Sequence, residues 1–197
     1  MNSNQVAIIF IGRSGCGKGT QSKLLIEYFA AQGQETIYLS TGNEFRKLIE
    51  EGDNFTSKKV DEIYDKGARH PDFLCVTILG NFFKSVFDPN KNLIMDGGLR
   101  SLNEAKTVAD IFDFYEITNA KVFNLDVSHE WSVDKLRKRG RDDDSEIVFE
   151  AKKKWYEDEV VPAIDFLKNN KQFEFNNING EKSIEEIHQD IINKING

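Results

Sequence analysis

The stretch Gly12-Arg13-Ser14-Gly15-Cys16-Gly17-Lys18-Gly19-Thr20 sets glycines on both sides of a single lysine. A glycine-rich turn lets several backbone N–H groups converge on phosphate oxygens, and Lys18 adds a mobile positive charge. Phosphoryl transfer asks for alignment and positive charge around the migrating group, with little covalent work by the protein. Loop arginines meet that demand: Arg46 in Ser40-Thr41-Gly42-Asn43-Glu44-Phe45-Arg46, Arg100 in Asp96-Gly97-Gly98-Leu99-Arg100, and Arg139 with Arg141 in Arg139-Gly140-Arg141-Asp142-Asp143-Asp144. Guanidinium forks suit phosphate better than an ammonium does.

The flanking patterns supply elements to hold these groups. Residues 6–11 form a short, continuous apolar run rich in β-formers, as a strand buried on both faces should be. Leu24, Leu25, Tyr28 and Phe29 then recur at helical spacing, so the loop joins a strand to a helix. Further strands are predicted at 34–39, 92–96, 120–127 and from 173, with a turn at 177–180. Asp96 ends its strand, where ligands bind in parallel sheets. Helical patterns fall at 73–87, 102–115, 131–139 and 184–195, with a charged run at 146–169 bent or interrupted at Pro162. Alternating strands and helices predict an α/β fold, a five-stranded parallel sheet covered by helices on both faces.

At 197 residues and 39% hydrophobic content, the chain suits one domain, 1–197. A formal charge of -7 without a basic tract argues against nucleic acid as a partner. The first residues carry no basic targeting region, and the apolar run that follows is too short to span a bilayer, so a cytoplasmic protein without membrane association is expected. Two cysteines, Cys16 and Cys75, predict no structural disulfide. His70, His129 and His188 show no metal-ligand spacing.

The general phosphate-loop motif places Ser or Thr directly after the lysine; here Gly19 intervenes before Thr20 and Gln21. This order, with the three arginine motifs in sequence, resembles the adenylate kinase branch of the nucleoside monophosphate kinases, which have a P-loop NTPase fold. The resemblance covers most of the chain. It implies reversible transfer of the γ-phosphoryl group of Mg·ATP to AMP, giving two ADP, by a monomer. ATP would contact Gly15, Cys16, Gly17, Lys18, Gly19, Thr20, Arg139 and Lys182. AMP would contact Thr41, Arg46, His70, Gly97, Arg100, Glu104, Arg141 and Lys152. Lys18, Arg100, Arg139 and Arg141 would act in catalysis, and Asp96 would orient the water shell of Mg²⁺. Residues 41–72 would form a small helical insert for the monophosphate. Residues 139–144 would form a very short lid, without the cysteine ligands of a structural zinc site.

Several positions depart from the family pattern. Asp96-Gly97-Gly98-Leu99-Arg100 lacks the usual aromatic and proline, so two adjacent glycines should leave Arg100 less firmly aimed. Asn43 replaces an aspartate, and Lys152 an arginine. Glu104 stands where the family reads adenine with glutamine. An ionised glutamate only accepts hydrogen bonds, which suits the N1–H and N2–H₂ donors of guanine. Thr41 matches the adenylate kinases. The expected acceptor is AMP; the alternatives are another monophosphate, GMP first and then CMP or UMP, or a nucleotide-binding relative with weak or no turnover.

Overall fold

The computed structural model describes residues 5–140 and 145–197. Arg141 and the aspartates at 142–144, the larger part of the expected lid, lie outside the described residues. The chain runs β1 (Ala7–Ile11), α1 (Lys18–Ala31), β2 (Thr36–Ser40), α2 (Thr41–Glu50), α3 (Phe55–Asp65), α4 (Asp72–Ser85), β3 (Asn92–Asp96) and α5 (Leu102–Phe114). It continues through β4 (Ala120–Asp126), α6 (His129–Arg139), α7 (Glu146–Trp155), a π turn (Tyr156–Val160), α8 (Val161–Asn169), β5 (Glu174–Asn179) and α9 (Ile184–Ile195).

Among the described residues the five strands form one sheet in the order β2-β3-β1-β4-β5, every pair parallel. Side chains alternate across a strand, so β1 feeds two cores. Ala7, Ile9 and Ile11 face a layer containing Leu79, Val108, Phe112 and Leu167, contributed by α4, α5 and α8. Ile8 and Phe10 face Leu25, Phe29, Ile187 and Ile191 of α1 and α9. Burial on both faces explains why β1 reads as an unbroken apolar run. The connections leave β1 toward β2 and return beside it as β3, then cross to β4, so the direction of winding reverses at β1. Ligands bind at such a switch point, beyond the carboxyl ends of the strands.

Two elements differ from the sequence reading. The strand expected to end before Asn177 continues to Asn179. Its asparagines are tolerated at the sheet edge because Asn124 Nδ2 donates to Asn177 Oδ1 at 2.6 Å and Asn177 Nδ2 donates to Asp126 at 3.3 Å, while Ile178 turns into the core. The charged helical run breaks before Pro162, at the π turn, and the proline lies in the first turn of α8. A proline ring clashes with the carbonyl four residues back in a regular α-helix, and a π turn is where such a helix locally widens.

Candidate active site

The phosphate loop, 12–17, leaves β1 and enters α1 through Gly17, whose φ of +101° is accessible chiefly to glycine. Gly12 is needed for a different reason: a Cβ there would lie 2.6 Å from the Leu125 carbonyl oxygen on β4. The loop is pinned from α6 by Ser132 Oγ, which donates to the Ser14 carbonyl at 2.7 Å. α1 begins with no acidic residue in its first turn and no side-chain cap, so its first N–H groups and its positive dipole end are directed at the loop. Lys18 Nζ spans the loop mouth, donating to the carbonyls of Gly12 (3.0 Å) and Arg13 (2.9 Å) and lying 3.6 Å from Cys16 Sγ. Cys16 is buried beneath the lysine. Burial pushes its thiol up, against the opposing pull of the Lys18 charge.

Register places the acidic group. Ser40 pairs with Asp96 at the ends of β2 and β3, and Tyr38, two residues back on the same face, donates from its hydroxyl to Asp96 Oδ2 at 3.1 Å. Burial and the neighbouring carboxylate push the Tyr38 hydroxyl up to about 12, so it remains a donor. The same Asp96 oxygen lies 3.2 Å from where a Cβ on Gly19 would stand, directly over the start of α1.

Ser40 caps α2 by accepting from Asn43 N at 3.4 Å, and one turn on the helix presents Arg46. Arg46 donates to the Tyr64 hydroxyl (3.2 Å) and to Asn43 Oδ1. The Arg46 and Arg100 guanidinium groups meet over Gly42, where a Cβ would lie 3.6 Å from Arg46 Nη1 and 3.7 Å from Arg100 Nη2. Two guanidiniums brought together over bare backbone form an anion site. Beside it Thr41 is fully buried, and His70 stacks on Phe45 with ring centroids 3.9 Å apart. His70 Nε2 lies 3.2 Å from the Val60 carbonyl; burial, aided by the Arg100 and Arg69 charges, lowers its pKa to about 4.

One cleft of about 780 Å³ runs from the loop to this pair. Its wall includes Gly15, Gly17, Lys18, Gly19, Thr20, Arg46, His70, Asp96, Gly97, Arg100, Arg139 and Lys152, so most of the residues singled out from sequence converge. Cys16 and Thr41 are buried close behind the wall. Lys182 lies outside it, its Nζ donating to Asp190 at 2.7 Å. Glu104 also stands behind the wall, with no exposed surface: Oε1 takes a hydrogen bond from Arg69 Nη1 at 3.0 Å and Oε2 one from the Arg100 amide at 2.8 Å. Sequence reasoning missed Tyr38, Tyr64, Arg69 and Trp155. Only Tyr38 carried a signal, its two-residue offset from the strand end.

A lysine-bearing loop after the central strand of a parallel sheet, facing a carboxylate and paired arginines, defines a P-loop phosphotransferase acting on nucleotides. Comparison with known proteins agrees: the family model described as adenylate kinase matches residues 10–172. Similar proteins named adenylate kinase include one from Prochlorococcus marinus (strain MIT 9515), 32% identical over 95% of this chain and 97% of its own. Another, from Azobacteroides pseudotrichonymphae, is 31% identical over 93% and 94%, and a third, from Bacteroides thetaiotaomicron, is 30% identical over 93% and 95%. The chain belongs to the adenylate kinase family.

Proposed function

We propose that the protein transfers the γ-phosphoryl group of Mg·ATP to AMP, forming two ADP, and runs the same step in reverse. The observation that carries this reading is the meeting of Arg46 and Arg100 over Gly42, across one cleft from Lys18 and the start of α1. The loop amides and Lys18 hold the phosphates of ATP, while Arg46 and Arg100 fork onto the phosphate of AMP. An AMP phosphate oxygen then attacks the γ-phosphorus as the bond to the ADP oxygen breaks. Lys18 follows the migrating group, because its two present partners are neutral carbonyls that a more negative phosphate readily displaces.

Asp96 is a hard oxygen donor on the cleft wall, close to the first turn of α1, and so fits a hydrated Mg²⁺ carried in with ATP. When bound, that ion offsets the charge of the phosphate oxygens. Tyr38 fixes Asp96 Oδ2, the oxygen that lies over the start of α1, and the carboxylate keeps further lone pairs to accept from the ion's waters. Residues 41–72, whose helices pack around Phe45 and Val60, serve as the monophosphate insert; the stretch 139–144 serves as the lid. Closure of both aligns the nucleotides and keeps water out. Arg139 brings charge to the cleft wall from the end of α6, and the resemblance to the family assigns Arg141 to the same step. Neither a structural zinc nor a partner chain is required.

A coupled assay of ADP formation with Mg·ATP against AMP, GMP, CMP and UMP tests the reading. Turnover should be fastest on AMP, and Lys18→Met should lower kcat by about 10²–10³-fold, as for loss of a transition-state charge contact. ATP binding without turnover on any of the four acceptors would overturn it.

A further inference from the structure

Glu104 is the one wholly buried acidic side chain behind the acceptor half of the cleft, among the described residues. Its two oxygens have separate occupations: one on Arg69, the other on the backbone amide of Arg100. Arg69 comes from the segment between α3 and α4 and also pairs with Asp72, and its Nη2 lies 3.9 Å from Glu159 of the π turn. Ser101 Oγ ties the cluster together, accepting from the Glu104 amide at 3.2 Å and donating to Asp72 at 2.9 Å. A base could donate a hydrogen bond to this carboxylate only by entering a fully buried cluster already taken by the Arg69 guanidinium, the Arg100 amide and the Cys75 thiol. A buried carboxylate separated from its cation is strongly disfavoured.

We propose that Glu104 and Arg69 act as one charge-compensated brace which fixes the backbone of Arg100, and that Glu104 is therefore a positioning residue for the acceptor phosphate and does not read the acceptor base. The brace supplies the stiffness that Gly97-Gly98 withholds from the turn. It holds Arg100 from the far side, one residue beyond the buried Leu99. The inference rests on phosphate capture by Arg46 and Arg100, but it does not depend on which base the phosphate carries.

The test compares wild type, Glu104→Gln, Arg69→Leu and the double variant. Binding of AMP and GMP is measured by calorimetry, and KM and kcat are measured for ATP and for each acceptor. Thermal melts and ATP binding establish that each variant is folded. Glu104→Gln should weaken AMP binding about tenfold and raise the acceptor KM to match, with the KM for ATP within twofold and the AMP-over-GMP ratio unchanged. Arg69→Leu should be worse, and the double variant should bind AMP at least as well as Arg69→Leu, since the stranded carboxylate is gone. A Glu104→Gln protein whose purine preference changes tenfold or more would overturn the proposal, as would strictly multiplicative losses or unchanged acceptor binding. Should Arg69→Leu fail to fold, Glu104→Asp, which keeps the charge but withdraws it from the Arg100 amide, should show the same selective loss of acceptor affinity; normal affinity there overturns the brace. A wild type that prefers GMP would refute the AMP reading while leaving these comparisons intact.

Discussion

Replacing Gly98 by alanine should damage stability and acceptor binding together, and the structure sets the size of each. Gly98 has φ +88°, and a Cβ there would come within 2.8 Å of Thr41 Cγ2. Holding an L-residue in the left-handed region costs about 1–2 kcal/mol. Moving a packed methyl adds about 1–2 kcal/mol, because Thr41 is fully buried and has no room to retreat. For a chain of this size a loss of about 2–4 kcal/mol lowers Tm by something like 10 °C. Thr41 begins α2, which carries Arg46, and Gly97 packs on both Thr41 and Arg100, so the displacement reaches the guanidinium pair. The KM for AMP should rise about tenfold while that for ATP stays within twofold. Gly80 is the control: it lies inside α4 with nothing within 4 Å of its would-be Cβ, so Gly80→Ala should gain about 0.5–1 kcal/mol and raise Tm by a few degrees. Calorimetric melts and steady-state kinetics on both variants decide the matter. A Gly98→Ala protein as stable as wild type, with unchanged acceptor KM, would refute the claim that this turn is cramped as well as left-handed.

Tyr38→Phe removes one hydrogen bond to Asp96, worth about 1 kcal/mol, so the Mg²⁺ concentration for half-maximal activity should rise about fivefold; Mn²⁺ binding to the ATP complex, followed by electron paramagnetic resonance, should weaken in parallel, and unchanged Mn²⁺ affinity would count against the contact. Since the folded His70 has a pKa of about 4 against an ordinary 6.5, the unfolded chain takes up its proton first as pH falls. Its contribution is therefore whole above pH 6.5 and declines toward pH 4, by up to about 3 kcal/mol, and denaturant titrations of His70→Gln should show a flatter profile over that window. His188, also lowered by burial, acts in the same direction and remains in that variant. Burial raises both thiols, so Cys16 and Cys75 should resist Ellman's reagent in the native protein at pH 8 and react fully once unfolded; fast native labelling would contradict their placement.

What could be read from sequence was local or periodic. The loop, its strand and its helix are contiguous, and Asp96 was found because a carboxylate ending a buried run falls where parallel sheets bind ligands. The last strand was cut short because asparagine is a poor strand former; its partners Asn124 and Asp126 lie about fifty positions away, and the cross-strand bonds that keep it in place have no local trace. Glu104 gave the sharpest divergence. Four residues after Arg100 it resembles a base-reading position with the wrong charge, and its acceptor-only chemistry led toward guanine. The cation that compensates it, Arg69, is 35 residues earlier. No spacing rule links the two, because one closes an insert and the other opens a helix.

The same geometry ties the phosphate loop to the segment 41–72 through one helical arm. Trp155 and Tyr156 are neighbours at the junction between α7 and the π turn, and they reach different segments of the chain. Trp155 Nε1 donates to the Gly67 carbonyl of the insert at 3.1 Å, while the Tyr156 ring receives the Arg13 guanidinium of the phosphate loop 4.0 Å from its centroid. α7 packs closely on Gly67 at a second point, where a Cβ would stand 2.6 Å from Val148 Cγ1. The Arg69 contact with Glu159 runs alongside. Residues 155–159 thus carry contacts to the phosphate loop and to the segment 41–72 within five residues. On the proposed function, this arm sets the two segments that hold donor and acceptor in one register, which is the alignment phosphoryl transfer needs.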